Sequence, residues 1–303
     1  MRDGYAQVVD EATRSNFYRS PLCRIIVVDG SPYILDSRDN IINMGADPRI
    51  TQAINVVKEQ YGVTVSVDAK KKNLLKFGRN ASVSGDIATV MTLPSSVDNE
   101  TYVAANSIGL LVSSSGSDST TYGVEGHTVD GSGNFTFVSQ NVVANGQTAV
   151  SLGTPMARCN RIENLGNADN VGTISVYQLG EDAPSGVPSD GTKVHCIVAA
   201  GRNQSEKCAT TLSNIDYWFI TSVHVNVIEK TSSSAEFRLE IRDKGSVFKP
   251  KAFFSASNTS FGGADFDPFY IVPANADVRI RALSSGTNIE CTAYINGFLA
   301  KVV

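Results

Sequence analysis

SIGLLVSSSGSDSTTYGVEGHTVDGSGNFTFVSQNVVANGQTAVSL, residues 107–152, has no helical periodicity. It consists of short apolar or alternating runs separated by Gly, Ser, Asn and Asp, a pattern typical of antiparallel strands joined by tight turns. The Asn145-Gly146 pair lies between two such runs and predicts a hairpin with a type I′ turn, since both central residues of that turn need positive φ. We therefore expect three or four antiparallel strands here. The segment contains no nucleophile beside a base and no phosphate-binding loop, which favours binding or structure over catalysis.

The remainder of the chain after residue 80 continues in the same way, without a 3.6-residue period. Strand-like runs follow at 171–179, 193–200, 216–229, 235–242, 247–256, 269–272, 277–283 and 288–299. Pro250 inside one run predicts an edge strand or a bulge. Such a series without helices predicts a mainly β protein, an antiparallel two-sheet sandwich that is jelly-roll-like. The loop at 180–191 is a candidate division between two halves of that sandwich.

The first 78 residues form a different, mixed α/β segment. The run at 24–28 and the residues 33–35 predict two strands around a turn. Residues 48–61 predict a helix, because Asp47 can cap its start, Pro48 suits its first position and Gly62 can end it. One face of this helix is apolar and must pack on something: the sandwich, a second copy or another protein. This stripe consists of Ile50, Ile54, Val57 and Tyr61.

A basic segment, KKKNLLKFGRN at 70–80, marks the expected boundary between an N-terminal docking segment at 1–78 and a β-sandwich domain at 79–303. Residues 1–80 hold 12 Lys and Arg against 9 Asp and Glu, whereas the remainder is acidic. The alternative to a docking role is a solvated linker. Our hypothesis assigns partner binding to the apolar stripe together with Lys70, Lys71, Lys72 and Arg79.

Composition excludes several classes. The net charge of −4 argues against broad nucleic-acid binding, and no run approaches the ~18 apolar residues of a membrane span. The polar N-terminus lacks the features of a signal peptide, so we expect a soluble protein made in a cytoplasm. The 5 Cys have irregular spacing and predict small buried side chains rather than disulfides or a zinc site. Charged residues are only 18%, which suits a surface that packs against other subunits.

Other chemistries are weighed against simpler explanations. His195-Cys196 with Cys208 fits no common metal spacing. Hydrolysis would need a carboxylate pair such as Glu125 and Asp130, or Asp265 and Asp267. The segment GGADFDP at 262–268 loosely resembles a calcium loop. Trp218 with its neighbours Tyr217 and Phe219 either lines a sugar-binding face or lies in the core. We expect no catalytic residue, no cofactor and no metal.

An ordered series of segments resembles virion structural proteins of tailed bacteriophages, especially marine ones. It begins with LLKFGRN (74–80) and LLVSSSGSDST (110–120), and continues with the Asn-Gly turn at 145–146. Arg158-Cys159-Asn160-Arg161 and the TISV strand at 173–176 follow, and PFYIVPANADVRIRALSSGTN (268–288) ends the series. The chain departs from the family pattern at 126–135, where the family more often has a Gly-Leu-Asp turn and then an aromatic residue.

The resemblance implies a non-enzymatic virion subunit that decorates the capsid or adapts the tail or fibres, made in a bacterial host. Its implied partners are other virion proteins and copies of itself, and it brings no catalytic residues. Residues 1–73 resemble nothing that we can name. The alternatives are a carbohydrate- or host-receptor-binding module that uses exposed aromatic residues and, less favoured, a polysaccharide hydrolase.

Overall fold

The computed structural model describes residues 49–67, 73–83, 86–94, 97–228, 233–285 and 288–302, and the backbone of 23–28, 31–36, 41–43 and 48. The N-terminal elements are β1 (Cys23–Val28), β2 (Ser31–Asp36), β3 (Ile41–Asn43), α1 (Pro48–Tyr61), β4 (Val65–Ser66), β5 (Asn73–Val83) and β6 (Ala88–Thr89). The middle strands are β7 (Ile108–Ser113), β8 (Thr121–Val129), β9 (Phe135–Val143), β10 (Val150–Met156), β11 (Arg158–Asn164), β12 (Ile174–Gln178) and β13 (Val194–Val198). The last strands are β14 (Ala209–Thr211), β15 (Asp216–Ile228), β16 (Ser234–Arg242), β17 (Lys249–Ser257), β18 (Gly262–Val272), β19 (Asp277–Ser284) and β20 (Ile289–Val302).

Two β-sandwiches account for most of these strands, which confirms the predicted fold class. In the larger one, a sheet in the order β18-β15-β20-β5 faces a sheet in the order β14-β19-β16-β17. When β5 and β14 to β20 are numbered one to eight along the chain, these orders become 6-3-8-1 and 2-7-4-5. That is the strand order of an eight-stranded jelly roll, in which two Greek keys wrap around one core. Its core includes Trp218, Phe237 and Ile280, all with no exposed surface.

The smaller sandwich is inserted between the first and second strands of the jelly roll. Its sheets have the orders β10-β7-β12-β13 and β11-β8-β9, and its core lies between them. The two ends of the insertion are adjacent, because Met91 and Lys207 form a β-bridge and the Thr92 amide donates to the Glu206 carbonyl at 3.0 Å. The jelly roll is therefore discontinuous in sequence.

The segment 107–152 supplies β7, β8, β9 and the start of β10, within the three or four antiparallel strands expected of it. Its one hairpin joins β8 to β9, with Val129 opposite Phe135. The Asn-Gly turn instead carries the chain from one sheet of the small sandwich to the other, since β9 pairs with β8 and β10 with β7. Only Gly146 in this turn has positive φ, 54°, so the predicted type I′ hairpin is wrong.

The predicted domain boundaries do not match the strand pairing. Residues 78 and 79 are consecutive positions of β5, which pairs with β20 over Asn73–Asn80. The loop at 180–191 connects β12 to β13, and these strands are hydrogen-bonded neighbours in one sheet. Chain connectivity at the insertion, rather than a change of composition, separates the two sandwiches. Pro250 lies in an edge strand beside a register shift, as predicted.

Helix α1 spans the predicted residues and packs on the outer face of the jelly roll. It ends at Gly62, whose φ of 68° only glycine adopts readily, with its amide donating to the Lys58 carbonyl at 3.0 Å. Among the described residues, its apolar stripe contacts the ends of β15, β18 and β20 through Tyr217, Phe219, Phe269 and Phe298. The N-terminal strands β1, β2 and β3 form a small antiparallel sheet of their own.

Candidate functional site

Three of the sequence segments singled out above meet between the two sandwiches. Lys76 of the KFGRN segment donates from Nζ to the carbonyl of Asn160, in the Arg158–Arg161 segment, at 2.9 Å. Arg158 of that segment donates from Nε to Oδ1 of Asp277, in the VRIRAL region, at 2.9 Å. We call this region the junction and define it by Lys76, Glu100, Tyr102, Arg158, Asn160, Lys207, Arg242 and Asp277.

Asp277 is the centre of the junction. Besides Arg158, it accepts from Arg242 Nε at 2.9 Å and from the Thr211 hydroxyl at 2.5 Å. Burial alone would raise the pKa of Asp277, but Arg158, Arg242 and these hydrogen bonds outweigh it and lower the pKa. A buried carboxylate with two guanidinium partners stays ionised, and removing it would leave two cations without compensation.

Aromatic rings cover these guanidinium groups. The guanidinium carbons of Arg242 and Arg158 lie 4.4 and 5.0 Å from the centre of the Tyr102 ring. Arg279 lies 3.8 Å from the centre of the Phe248 ring and donates to Glu240, which is 2% exposed. The outer face of the β16–β19 sheet thus carries charges of both signs, which Tyr102, before β7, and Phe248, just before β17, cover. Cation–π contacts of this kind stabilise desolvated arginines.

Lys207 makes a second buried ion pair, with Glu100. Its Nζ also donates to the carbonyls of Cys159, at 2.7 Å, and His195, at 3.0 Å. Burial alone would lower the pKa of Lys207, but Glu100 outweighs it and the pKa is raised. All three donor positions of this ammonium are used, so Lys207 links the end of the insertion to the small sandwich.

Lys76 has fewer partners. Its exposed fraction is 7%, and the Asn160 carbonyl is the one acceptor found for its Nζ within the described part of the chain. Burial lowers its pKa to about 8, and the positive charge of Lys207 adds to that shift. Burial also lowers the pKa of the neighbouring His127 to about 3, so this imidazole is neutral. Asn160 Nδ2 can then donate to the unprotonated Nδ1 of His127 at 3.2 Å.

A cleft of about 620 Å³ opens beside the junction, between the sandwiches. Lys76, His127 and Asn160 lie in its wall, and Glu125 and Arg161 line it as well. Phe137 is 44% exposed and its ring lies edge-on to His127, with ring centres 5.6 Å apart. Donors, acceptors and an exposed aromatic ring are therefore available to a small polar ligand.

The Ser-rich segment has a structural role. Asp118, 3% exposed, accepts from the Ser113 hydroxyl at 2.5 Å and from the amides of Val171 and Gly172, both at 2.8 Å. The Asp118 carbonyl accepts from the Gly146 amide at 2.7 Å. The carboxylate and the backbone carbonyl of this one residue therefore connect three loops at one end of the small sandwich.

The residues predicted to bind a partner have intramolecular contacts instead. Ile50, Ile54 and Val57 are at most 5% exposed, and the ring of Tyr61 lies 5.6 Å from that of Tyr217. Their apolar surface is already buried on the jelly roll, which corrects the docking role proposed for the stripe. Arg79 pairs with Glu290 at 2.7 Å, and this hydrogen bond raises its pKa. Lys70, Lys71 and Lys72 lie outside the described residues.

Several alternative chemistries are also corrected. Trp218 and Phe219 have no exposed surface and Tyr217 is 6% exposed, so these aromatics cannot form a sugar-binding face. Asp130 accepts from the amides of Ser132 and Asn134 and so stabilises the β8–β9 turn. Residues 262–268 belong to strand β18 rather than to a calcium-type loop.

No three His, Cys, Asp or Glu side chains of the described ranges are grouped as a metal site would require. Cys159, Cys196, Cys208 and Cys291 are buried free thiols, as the irregular spacing predicted; the side chain of Cys23 lies outside the description. None of the helical segments that the structure describes is long and apolar enough to cross a bilayer.

The sequence analysis missed the junction itself. The run at 277–283 was predicted as a strand, but no partner was assigned to its arginines. A possible signal was the combination of Asp277, Arg279 and Arg281 with Glu240 and Arg242 on a second alternating strand, because such complementary charges form cross-strand pairs. What covers them is set by the insertion, which local sequence does not show.

Comparison with known proteins gives only distant structural likenesses. No protein-family model matches the chain, and neither does any curated protein. A chain from the structure of infectious bursal disease virus Gt strain is 7% identical, with 79% of this chain and 73% of that chain covered and a TM-score of 0.21. The N-terminal CBM22-1-CBM22-2 tandem domain of Paenibacillus barcinonensis Xyn10C is 10% identical, with 80% of this chain and 97% of that chain covered and a TM-score of 0.19. A chain of the infectious bursal disease virus VP2 subviral particle is 12% identical, with 85% of this chain and 78% of that chain covered and a TM-score of 0.16. These scores carry no argument about function.

Proposed function

We propose that this protein is a non-enzymatic structural subunit of a tailed-phage virion, which decorates the capsid or adapts the tail or fibres. The observation that carries the proposal is the junction. Segments whose order resembles virion proteins supply Lys76, Arg158 and Asp277, and these side chains hold two sandwiches together rather than forming a reactive centre. A rigid block of this kind suits a subunit whose position is fixed by its neighbours.

The use of charge supports the same role. Charged residues are scarce, and a large share of those described pair inside the molecule, around Asp277, Glu240 and Lys207. Large apolar side chains such as Phe253 and Phe261 are exposed on the outer surface, which suits contact with other subunits. The jelly roll adds a fold-level analogy only, since it occurs in viral capsid domains and also in lectins and cupins.

Attachment to other virion proteins needs a surface that is not already buried. The apolar stripe of α1 provides none, because it packs on the jelly roll. The proposed contacts therefore involve the surface of the sandwiches, and the basic residues Lys70, Lys71 and Lys72 stay candidates on their charge alone.

Purified particles of the phage that encodes this chain provide the test. We expect quantitative mass spectrometry to find the protein at a fixed copy number relative to the major capsid protein, and cryo-electron microscopy to show paired sandwiches at one symmetric position. Immunoblotting of the non-particle fraction is the control. Detection only in the soluble lysate would contradict the proposal.

The cleft supports a second candidate function, a carbohydrate- or receptor-binding module. A saccharide has hydroxyl groups that both donate and accept, which suits Lys76, Glu125 and Asn160, and an apolar ring face that could stack on Phe137. Binding should be measured on a glycan array with the full chain. Phe137→Ala should abolish any binding signal. The control is Phe253→Ala, which removes an exposed phenylalanine of the jelly roll outside the cleft lining and should leave the signal intact. An unchanged signal in Phe137→Ala would exclude the cleft.

A further inference from the structure

Two edge strands of the jelly roll lie at the same side of the molecule. β17 ends one sheet and pairs with β16, whereas β18 ends the facing sheet and pairs with β15. Within the described residues neither strand has a partner on its outer side. The short connection between them is closed by an antiparallel bridge between Ser257 and Ser260, so the two strands run in opposite directions. Unpaired strand edges are templates for pairing with another chain.

The side chains along the two edges carry opposite charges. Lys249 and Lys251 are exposed on β17, and Asp265 and Asp267 are exposed on β18. The side chains of Lys251 and Asp265 project from the outer faces of their sheets, because their chain neighbours Ala252 and Ala264 pack on the core. Lys249 lies just beyond the register shift of β17 and Asp267 lies within that of β18, where this alternation is interrupted. The Asp265 side chain is 86% exposed, and its nearest basic partner is His224, 3.9 Å away. Neither lysine has an ion-pair partner among the residues described.

Large apolar side chains accompany these charges. Phe253 is 60% exposed and Phe261, in the turn between the strands, is 83% exposed. Val247, just before β17, is 70% exposed. Aromatic residues are enriched in the centres of protein interfaces, so this group at an open sheet edge indicates a contact surface.

We propose that this side of the jelly roll binds a second copy of the chain by edge-to-edge strand pairing. A two-fold axis parallel to the strands places β17 of one copy against β18 of the other and repeats the contact symmetrically. The paired strands are then antiparallel, since β17 and β18 run in opposite directions within each copy. Each sheet continues into the sheet of the partner, and the outer face of one becomes continuous with the outer face of the other.

Charge complementarity selects this arrangement over other edge pairings. Lys249 and Lys251 of one copy become cross-strand neighbours of Asp265 and Asp267 of the other, and opposite charges at such positions stabilise a sheet. Pairing β17 with β17 would instead bring lysines together, and pairing β18 with β18 would bring aspartates together. A dimer formed by these edges would give the proposed structural subunit a second copy as its partner, and it can be measured without virus particles.

The test is analytical ultracentrifugation of the full chain over a range of concentrations. We expect a monomer–dimer equilibrium. Lys249→Glu with Lys251→Glu should raise the dimer Kd at least about tenfold, because it places like charges opposite each other. Asp265→Lys with Asp267→Lys should have the same effect. Combining all four substitutions restores opposite charges across the contact and should return the Kd to within about threefold of the original.

Two controls make the result decisive. Glu59→Lys reverses an exposed charge on α1 and should leave the Kd unchanged. Circular dichroism should show that every variant keeps the β-type spectrum. The variant with all four substitutions is a second control for folding, because it should form the dimer again. A chain that remains monomeric at all concentrations would overturn the proposal. A dimer that neither pair of reversals weakens, or that the combined variant does not restore, would overturn it as well.

Discussion

At the scale of single residues, several of the few charged side chains form ion pairs and hydrogen bonds inside the molecule. Three of these side chains form two or more hydrogen bonds each and are at most 3% exposed: Asp277, Glu240 and Lys207. A buried charge with one partner missing is far more costly than an exposed one. Stability should therefore depend steeply on a small set of polar side chains.

Substitution of Asp277 tests this. Asp277→Asn keeps the size of the side chain but removes the countercharge of the buried Arg158 and of the partly buried Arg242, and should lower the free energy of unfolding by about 3–5 kcal/mol. Glu236→Gln is the matched control, because its pair with Arg238 is partly exposed and should contribute less than about 1 kcal/mol. Urea denaturation of both variants gives the comparison. Equal losses of unfolding free energy in the two variants would show that the buried ion pairs of Asp277 stabilise the fold no more than a partly exposed pair does.

Lys76 should impose a pH dependence on stability. Its pKa is about 8 in the folded protein against 10.5 for an ordinary lysine, so between these values the unfolded chain holds more protons. The free energy of unfolding therefore rises with pH in this window, by at most about 1.4 kcal/mol per pH unit from this group. Denaturation of the original chain and of Lys76→Met should diverge between about pH 8 and pH 10. Parallel curves would mean that Lys76 is not desolvated.

At the scale of elements, the sequence predicts what periodicity and caps can encode. The helix at 48–61 is found at its predicted bounds, and the alternating runs are strands. The Asn-Gly turn shows the limit: its residues specify a tight turn, but whether the following strand pairs with its predecessor or crosses to the opposite sheet depends on long-range packing. The partner of the apolar stripe was equally hidden, since amphipathicity requires burial without naming the surface.

Helix α1 should consequently be part of the folded core rather than a detachable arm. Ile54→Ala removes buried surface against Phe219 and Phe298, and should cost about 2–5 kcal/mol of stability. Gln52→Ala, on the exposed side of the same helix, should change stability by less than about 0.5 kcal/mol. Thermal melts compare the two variants. An unchanged melting temperature in Ile54→Ala would contradict the packing of α1 on the jelly roll and would make its apolar stripe a candidate docking surface again.

At the scale of the whole molecule, composition placed a boundary near residue 78, whereas topology places it at the two ends of the insertion. Sequence patterns report local structure, and they carry little information about which distant strands share a sheet. The jelly roll was predicted as a class, but its first strand and its last seven are separated by a complete second sandwich. The junction could not be predicted for the same reason: its ion pairs Arg158–Asp277 and Lys207–Glu100 join residues that are 119 and 107 positions apart in the chain.

This connectivity predicts which fragments fold. Residues 97–206 contain both sheets of the small sandwich and its whole core, and their ends are adjacent, as in insertions that fold independently. The isolated fragment should give a β-type circular dichroism spectrum and a cooperative melt. Its melting temperature should be lower than that of the full chain, because Glu100 and Arg158 lose Lys207 and Asp277.

A fragment that begins at Asn80, although it contains most of the strands, should fail to fold and should aggregate. It lacks residues 73–79 of β5, so the ladder of β20 between Cys291 and Phe298 is exposed, and it lacks α1, so Phe219 and Phe298 lose their cover. Exposed edges and apolar faces of this kind promote association. Light scattering and circular dichroism on both fragments decide the matter: a folded 80–303 together with an unfolded 97–206 would refute the inserted-sandwich architecture.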